Sequence, residues 1–82
     1  MYELLFSREV SDFLKKLDNP IKTRVINKIE KLKTQPDLGK PMTGQLAGLR
    51  SLRIGFYRAI YSIEHEKLSI LVIKLGHRKN VY

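Results

Sequence analysis

The sequence predicts an α+β domain in which an N-terminal strand and a two-helix antiparallel hairpin pack on a curved, mainly antiparallel four-stranded sheet. Two observations predict this class: apolar residues recur at helical spacing in the first part of the chain, and three strand patterns follow in the second. The expected element order is β-α-α-β-β-β. A chain of 82 residues forms one domain, which we assign to residues 1–82.

The first part predicts one strand and two helices. Residues 2–6, YELLF, are a strand candidate, and Ser7 can cap the helix that follows. The apolar residues of that helix fall at i, i+3, i+4 and i+7: Val10, Phe13, Leu14 and Leu17. Asn19 is the expected N-cap of the second helix, with Pro20 at its first position. An apolar stripe continues this helix to about residue 34: Ile21, Val25, Ile29 and Leu32.

The second part predicts a long loop and three strands. Residues 35–48 contain two of the three prolines and three of the five glycines, which is typical of a loop. Strand patterns then cover residues 49–55, 57–64 and 68–75, with a polar turn between the last two. The segment SILVIKL in the last pattern is almost continuously apolar, so we expect a central strand that is covered on both faces.

The charge favours a polyanionic partner. Sixteen Lys and Arg against eight Asp and Glu give a net charge of +8, and residues 49–82 are more basic than residues 1–48. The N-terminus lacks the pattern of a signal peptide, and no apolar run is long enough to span a bilayer. The absence of cysteine fits a reducing compartment. We therefore expect a cytoplasmic protein that does not associate with membranes.

Arginines are spread over the segment SLRIGFYRAIY, which predicts a β-hairpin. Strand alternation places Ser51 and Arg53 on the face away from the helices and Arg50 on the opposite face. Arg58 begins the neighbouring strand, so its guanidinium and that of Arg53 can converge on one anion. The planar fork of arginine suits phosphate because it donates two parallel hydrogen bonds. The alternative is a set of cross-strand ion pairs with Glu64 or Glu66.

The C-terminal segment GHRKNVY places four chemically active side chains after the last strand: His77, Arg78, Lys79 and Tyr82. Histidine exchanges protons near neutral pH, arginine stabilises a developing phosphorane charge, and tyrosine stacks on a base or moves a proton. The alternative is a frayed tail with ordinary polar residues. Two histidines and no cysteine make a poor metal site, and we expect neither a metal nor a cofactor.

The run LRSLRIGFYRAIYSIE followed by ILVIKLGHRKNVY resembles the RelE/ParE superfamily of toxins from type II toxin–antitoxin systems. The resemblance implies a RelE-like endoribonuclease that cleaves messenger RNA in the ribosomal A site and so inhibits translation. In that family the RNA 2′-hydroxyl attacks the adjacent phosphate, and no metal takes part. The implied partners are the ribosome, its mRNA and a RelB-like antitoxin. The antitoxin neutralises the toxin in a higher-order heteromer and also contacts operator DNA.

The resemblance implies individual roles. Arg58 matches the arginine that contacts the scissile phosphate, Arg78 the one that stabilises the transition state, and Tyr82 the tyrosine that stacks on the base. Two strand lysines of the best-known relatives, one a proposed general base, are replaced here by Leu49 and Ser51. His77 and Lys79 are the candidate substitutes, and we count His77 among the catalytic residues. The expected substrate-binding residues are Arg53, Arg50, Lys79 and Ser51.

Two alternatives remain open at this stage. ParE-like toxins share the fold but poison DNA gyrase, and they generally lack the tail pattern that this chain carries. A basic sheet could also bind RNA without any chemistry. Substitution of Arg78 separates this last case, because a pure binder loses only affinity whereas a nuclease loses turnover.

Overall fold

The computed structural model describes residues 1–79 and confirms the α+β class. The helices are α1 (Arg8–Lys15) and α2 (Asn19–Glu30). The strands are β1 (Glu3–Phe6), β2 (Lys40–Pro41), β3 (Arg50–Ile54), β4 (Tyr57–Glu64) and β5 (Ser69–His77). They form one five-stranded sheet in the order β1-β5-β4-β3-β2, in which only the β1–β5 pair is parallel. The strand beyond the four expected is β2, which the long loop contributes.

The core lies between the two helices and one face of the sheet. The fully buried side chains that fill it come from both layers, among them Val10, Val25, Ile29, Leu32, Tyr61, Ile70 and Val72. The first strand lies parallel to the last, with Glu3 opposite Ser69 and Phe6 opposite Val72. This pairing makes β5 a central strand, as its apolar sequence predicts.

The expectation that β5 is covered on both faces is wrong. Within residues 1–79 the helices cover one face only, and on the other face the side chain of Leu71 is 39% exposed and that of Lys74 is also exposed. The residues that face the helices, Ile70 and Val72, are fully buried. A long apolar run therefore marked a central position in the sheet rather than burial on two sides. We call the uncovered side the open face of the sheet.

Ser7 and Asp18 begin the two helices. The Ser7 hydroxyl accepts a hydrogen bond from the amide of Val10 (3.2 Å), as expected of an N-cap, and donates one to the carbonyl of Ile73 (2.8 Å). Ile73 is the extra residue at a β-bulge between β4 and β5, so this hydroxyl joins the start of α1 to the bend in β5. The N-cap of α2 is Asp18 rather than Asn19, because the Asp18 carbonyl already accepts the first helical bond, from the amide of Lys22 (2.8 Å).

Tyr61 attaches the long loop to the sheet. Its buried hydroxyl donates to the carbonyl of Pro36 (2.7 Å) and accepts from the amide of Gly39 (2.9 Å). A Cβ atom at Gly39 would lie 2.8 Å from the Tyr61 ring and from the carbonyl of Ser51, so the close approach requires glycine. Arg50 adds a second attachment by donating to the carbonyls of Gly39 (2.6 Å) and Asp37 (3.3 Å).

We expect Tyr61→Phe to lower the free energy of unfolding by about 1–3 kcal/mol, because it leaves a buried amide and a carbonyl without their partner. Urea denaturation would measure the change. Tyr57→Phe is the matched control, because the Tyr57 hydroxyl makes no hydrogen bond within residues 1–79, and it should change stability by less than about 0.5 kcal/mol. Equal losses in the two variants would contradict the role given to the Tyr61 hydroxyl.

Burial raises the pKa of the Tyr61 hydroxyl above its ordinary value of 10.0. The folded protein therefore keeps this proton at a pH where the unfolded chain loses it. The corresponding stability is complete below the unfolded pKa and disappears as the pH rises through the folded pKa. Urea titrations from about pH 9 to about pH 11 should show this loss in the wild type, and the Tyr61→Phe variant should lack that component. Identical profiles of stability against pH in the wild type and in Tyr61→Phe would contradict a raised pKa of the Tyr61 hydroxyl.

Candidate anion-binding site

The open face has cations at the end near the β3–β4 turn. Arg53 lies directly opposite Arg58, and Arg58 lies opposite Gly76, which has no side chain. The adjacent row runs across four strands, and its members are Lys40, Ser51, Ile60 and Lys74. We call these two rows the cationic end. Strand register alone places four cations together on a rigid sheet.

The opposite end of the open face is apolar and then acidic. Ser62, Leu71 and Leu5 lie side by side in one row, and Leu5 and Leu71 are 44% and 39% exposed. The last row consists of Glu64, Ser69 and Glu3. Glu64 lies six residues from Arg58 along β4, which is about 20 Å at about 3.4 Å per residue. The ion pair that forms within residues 1–79 joins Lys33 and Glu30 (3.0 Å), so Arg53 does not form the cross-strand pair considered from the sequence.

Arg53 and Arg58 place two like charges directly opposite each other on neighbouring strands. Directly opposed residues of antiparallel strands have their Cβ atoms about 4.5–5.5 Å apart, and like charges in such pairs are destabilising. A phosphate that bridges two guanidiniums reverses the sign of this interaction, because each guanidinium donates charge-assisted hydrogen bonds to it. Arg58 is half-buried and Arg53 is exposed, so the pair combines a partly desolvated charge with an accessible one. The arrangement suits a phosphate group.

A groove of about 690 Å³ lies beside this pair. The sheet contributes Ser51, Arg53 and Arg58 to its lining, and the long loop contributes Met42, Thr43 and Leu46. Its size is within the usual range of ligand pockets. The loop that Tyr61 attaches therefore forms one wall, and the cationic end forms the other.

Not every expected site residue lies at the cationic end. The His77 ring stacks on its cross-strand neighbour Tyr57 (centroids 4.8 Å apart), which packs edge-on against Phe13 of α1 (6.1 Å), so His77 lies on the helix side. Arg50 also lies on the helix side, where it binds loop carbonyls. The structure therefore does not bring His77 or Arg50 together with Arg53 and Arg58.

The tail after β5 begins close to the cationic end. The amide of Arg78 donates to the carbonyl of Phe56 in the β3–β4 turn (2.9 Å), which extends the ladder by one residue. Arg78 is half-buried in the turn that follows β5. Lys79 is exposed in the same turn. Tyr82 lies outside the described residues, and its stacking role stays a prediction.

Sequence reasoning missed three residues of this region. Lys74 lies on the open face two positions before Gly76, and alternation would have found it if β5 had not been expected to be covered on both faces. Lys40 lies on β2, a strand that no periodicity could indicate because it has two residues. Phe56, at the tip of the β3–β4 turn, is 76% exposed, and no sequence pattern distinguishes it from a core aromatic.

The chain matches known toxins in sequence and in fold. The model of the ParE toxin of type II toxin–antitoxin systems, parDE, matches residues 4–82. Toxin RelG of Mycobacterium tuberculosis is 38% identical over 45 residues, which are 55% of this chain and 52% of RelG, so the match spans about half of that relative.

Solved structures of toxin–antitoxin complexes have the same fold. A chain of the RelBE2 complex from M. tuberculosis matches with a TM-score of 0.85 and 32% identity, over 94% of this chain and 98% of that one. A chain of the E. coli RelBE complex matches with a TM-score of 0.78 and 22% identity, over 94% and 96%. The chain thus belongs to the RelE/ParE superfamily of toxins of type II toxin–antitoxin systems.

Residues 1–79 contain neither a cluster of metal-ligating side chains nor a membrane-spanning helix. No group of three or more His, Asp or Glu side chains in that range could hold a metal ion. None of the helices described there has the length and apolar character needed to cross a bilayer.

We expect Arg53→Gln to make RNA binding less dependent on salt. Loss of one phosphate contact should reduce the slope of log affinity against log salt concentration by about 0.7 for single-stranded RNA. Fluorescence anisotropy with a labelled single-stranded RNA at several salt concentrations would measure it. Lys67→Gln is the matched control, because Lys67 is exposed in the β4–β5 turn at the other end of β4. A slope unchanged by Arg53→Gln would exclude a phosphate contact there.

Proposed function

We propose that this toxin is a metal-independent endoribonuclease that acts in the cytoplasm. It cleaves messenger RNA in the ribosomal A site and thereby inhibits translation. The observation that carries the proposal is the opposed pair Arg53 and Arg58 at the cationic end, beside a groove of about 690 Å³. The fold shared with RelE-type toxins supports it. The motif residues that resemble the catalytic ones of RelE-like toxins support it further.

In the proposed reaction the RNA 2′-hydroxyl attacks the adjacent phosphorus. The bond from phosphorus to the 5′ oxygen of the next nucleotide breaks, and the products are a 2′,3′-cyclic phosphate and a 5′-hydroxyl. The proton of the 2′-hydroxyl leaves to solvent or a base, and the 5′ oxygen acquires one. The rate gain comes from holding the phosphate in line for attack and from stabilising the charge that develops on its oxygens.

Arg58 and Arg78 have the electrostatic roles in this proposal, and Arg53 holds the phosphate from the facing strand. Arg58 is preorganised because it stands on a strand between β3 and β5. We assign His77 no proton transfer to substrate, because its ring lies against Tyr57 on the helix side. Ser51 lies one row from the arginine pair, between Lys40 and Ile60, and is assigned to substrate binding. Lys79 and the base-stacking residue Tyr82 complete the proposed site.

A RelB-like antitoxin is the proposed inhibitor. The open face combines exposed Leu5 and Leu71 with the cationic end, so an amphipathic segment with acidic residues at one end would cover both. Such a segment excludes RNA by occupying the same cations. The related structures of RelBE complexes support a partner of this kind. We extend the proposal to a higher-order heteromer that contacts operator DNA through the antitoxin.

A second candidate function is poisoning of DNA gyrase, which the match to the ParE toxin family favours. Gyrase poisoning does not require the residues of the cationic end to cleave RNA. A gyrase supercoiling assay with the purified toxin would detect it, and ribosome-programmed cleavage would be absent. The two candidates are thus separated by two independent assays.

We expect Arg58→Ala and Arg78→Ala each to reduce cleavage by about 10²–10³-fold, because each removes a donor to the developing charge. The measurement is primer extension on a defined message after toxin is added to ribosomes with a known A-site codon. Arg8→Ala is the matched control, because Arg8 is exposed at the start of α1, and it should cleave at the wild-type rate.

Affinity measured beside turnover distinguishes a nuclease from a binder. A nuclease variant should keep RNA affinity within about one phosphate contact of the wild type while it loses turnover. Wild-type toxin that binds RNA tightly and leaves the message intact would support the non-catalytic RNA-binding module instead.

A further inference from the structure

A second groove lies between α2 and the β3–β4 turn. Its volume is about 560 Å³. Three of its cations are spaced i, i+4 and i+7: Arg24 and Lys28 of α2, and Lys31 directly after the helix. Arg53 of β3 also lines the groove. Thr23 and Asn27 add hydrogen-bonding groups beside them. We call this feature the α2 groove.

The α2 groove is uniformly positive. None of its described lining residues carries a carboxylate, and the ion pair at the end of α2 joins Glu30 to Lys33, which is not in the groove. Arg24 and Lys28 are like charges one helical turn apart, an arrangement that disfavours the isolated helix. Four cations that face one cleft without acidic partners require a polyanion for their charges to be offset.

The α2 groove is continuous with the groove on the open face. Arg53 and Lys28 line both of them, so the cationic path runs from the Arg53–Arg58 pair around β3 to α2. A strand whose phosphate binds at the cationic end can therefore extend into the α2 groove. A ligand confined to the open face would leave Arg24 and Lys31 unused.

We propose that the α2 groove binds the phosphate backbone of an RNA segment that flanks the one on the open face. This inference rests on the proposed function and adds a second contact surface to it. The three helical cations span about 10.5 Å along the axis at about 1.5 Å per residue. Cations spread over that distance can contact successive phosphates of one strand.

The lining favours RNA over an acidic protein segment. Protein interfaces are centred on buried apolar or aromatic anchors. Within residues 1–79 the large apolar side chains that are exposed lie elsewhere, and none lines the α2 groove. Its apolar lining residues are Pro20 and Ile54, and Ile54 is 4% exposed and belongs to the core. Polar groups among cations are the usual surface for a sugar-phosphate backbone.

The test compares a groove variant with a charge-matched control. The groove variant is Arg24→Gln and Lys31→Gln, two residues that line only the α2 groove, and the control is Lys15→Gln and Lys67→Gln, both exposed and outside both grooves. The probes are labelled single-stranded RNAs of about 5 and about 16 nucleotides, with 2′-O-methyl groups that prevent cleavage. Anisotropy is measured at several salt concentrations.

We expect the groove variant to weaken binding of the long RNA and to lower its salt slope by about 1.4, which is about 0.7 for each of two phosphates. Its binding of the short RNA and the behaviour of the control should match the wild type. A long-RNA slope that the groove variant leaves unchanged would overturn the proposal. Equal losses with both RNAs, or with the control, would also overturn it, because they would show a general effect of net charge.

The readout is independent of cleavage, so it separates this inference from the proposed function. If the wild type leaves mRNA intact and the groove variant still loses affinity for the long RNA alone, the nuclease proposal is refuted and the proposed RNA contact in the α2 groove is supported. Loss of antitoxin binding with unchanged RNA binding would assign the groove to an acidic protein and overturn the proposal. The single variant Arg24→Gln, at an exposed position, keeps the test valid if the double variant unfolds, as judged by circular dichroism, and its expected slope change is about 0.7.

Discussion

The hydroxyl of Tyr61 bonds a long irregular loop to the sheet from within the core, and the geometry of the site depends on that attachment. Ordering a loop without regular structure costs conformational entropy for each residue. The hydrogen bonds to Pro36 and Gly39, with the guanidinium of Arg50 on the carbonyl of Gly39, are the fixed contacts that offset this cost. They hold β2 against β3 and place the loop wall beside the arginines. Arg50, expected to bind substrate, instead helps to build the wall of the site.

The sheet concentrates positive charge where it is least favourable for stability. Like charges directly opposite each other on antiparallel strands, as in Arg53 and Arg58, are in general less favourable than a pair of threonine or valine side chains. The two strands are braced by neighbours on either side, and the core below them is filled by Leu52, Ile54 and Ala59. A rigid scaffold thus maintains an electrostatic arrangement that would spread apart in a flexible loop. Conflict between local stability and charge placement is expected at functional sites.

Much of the fold can be predicted from the sequence, because the spacing of apolar residues indicates which side of each helix or strand is buried. The stripe in α2 and the alternation in β3 identify the core face, and alternation also places Ser51 and Arg53 on the open face. Tyr61 is a core residue, but the loop carbonyl that it binds is 25 residues away, and no local sequence pattern predicts such a contact. The bulge at Ile73 and the pairing of β2 are likewise tertiary. His77 belongs to the segment GHRKNVY, which carries several chemically active side chains. Strand alternation nevertheless places its ring on the helix side of the sheet, where it stacks on Tyr57.

The parallel pairing of β1 with β5 affects when the protein can fold. Ser7 and Ile73 are bonded across 66 residues, and β1 finds its partner only after β5 has been synthesised. Contacts so distant along the chain form late, because a large loop must close before they contribute. β4 likewise remains an edge strand until β5 pairs with it. A nascent chain on the ribosome therefore has no assembled cationic sheet, and the ribosome that synthesises the toxin is exposed to the finished surface only after the final strand emerges.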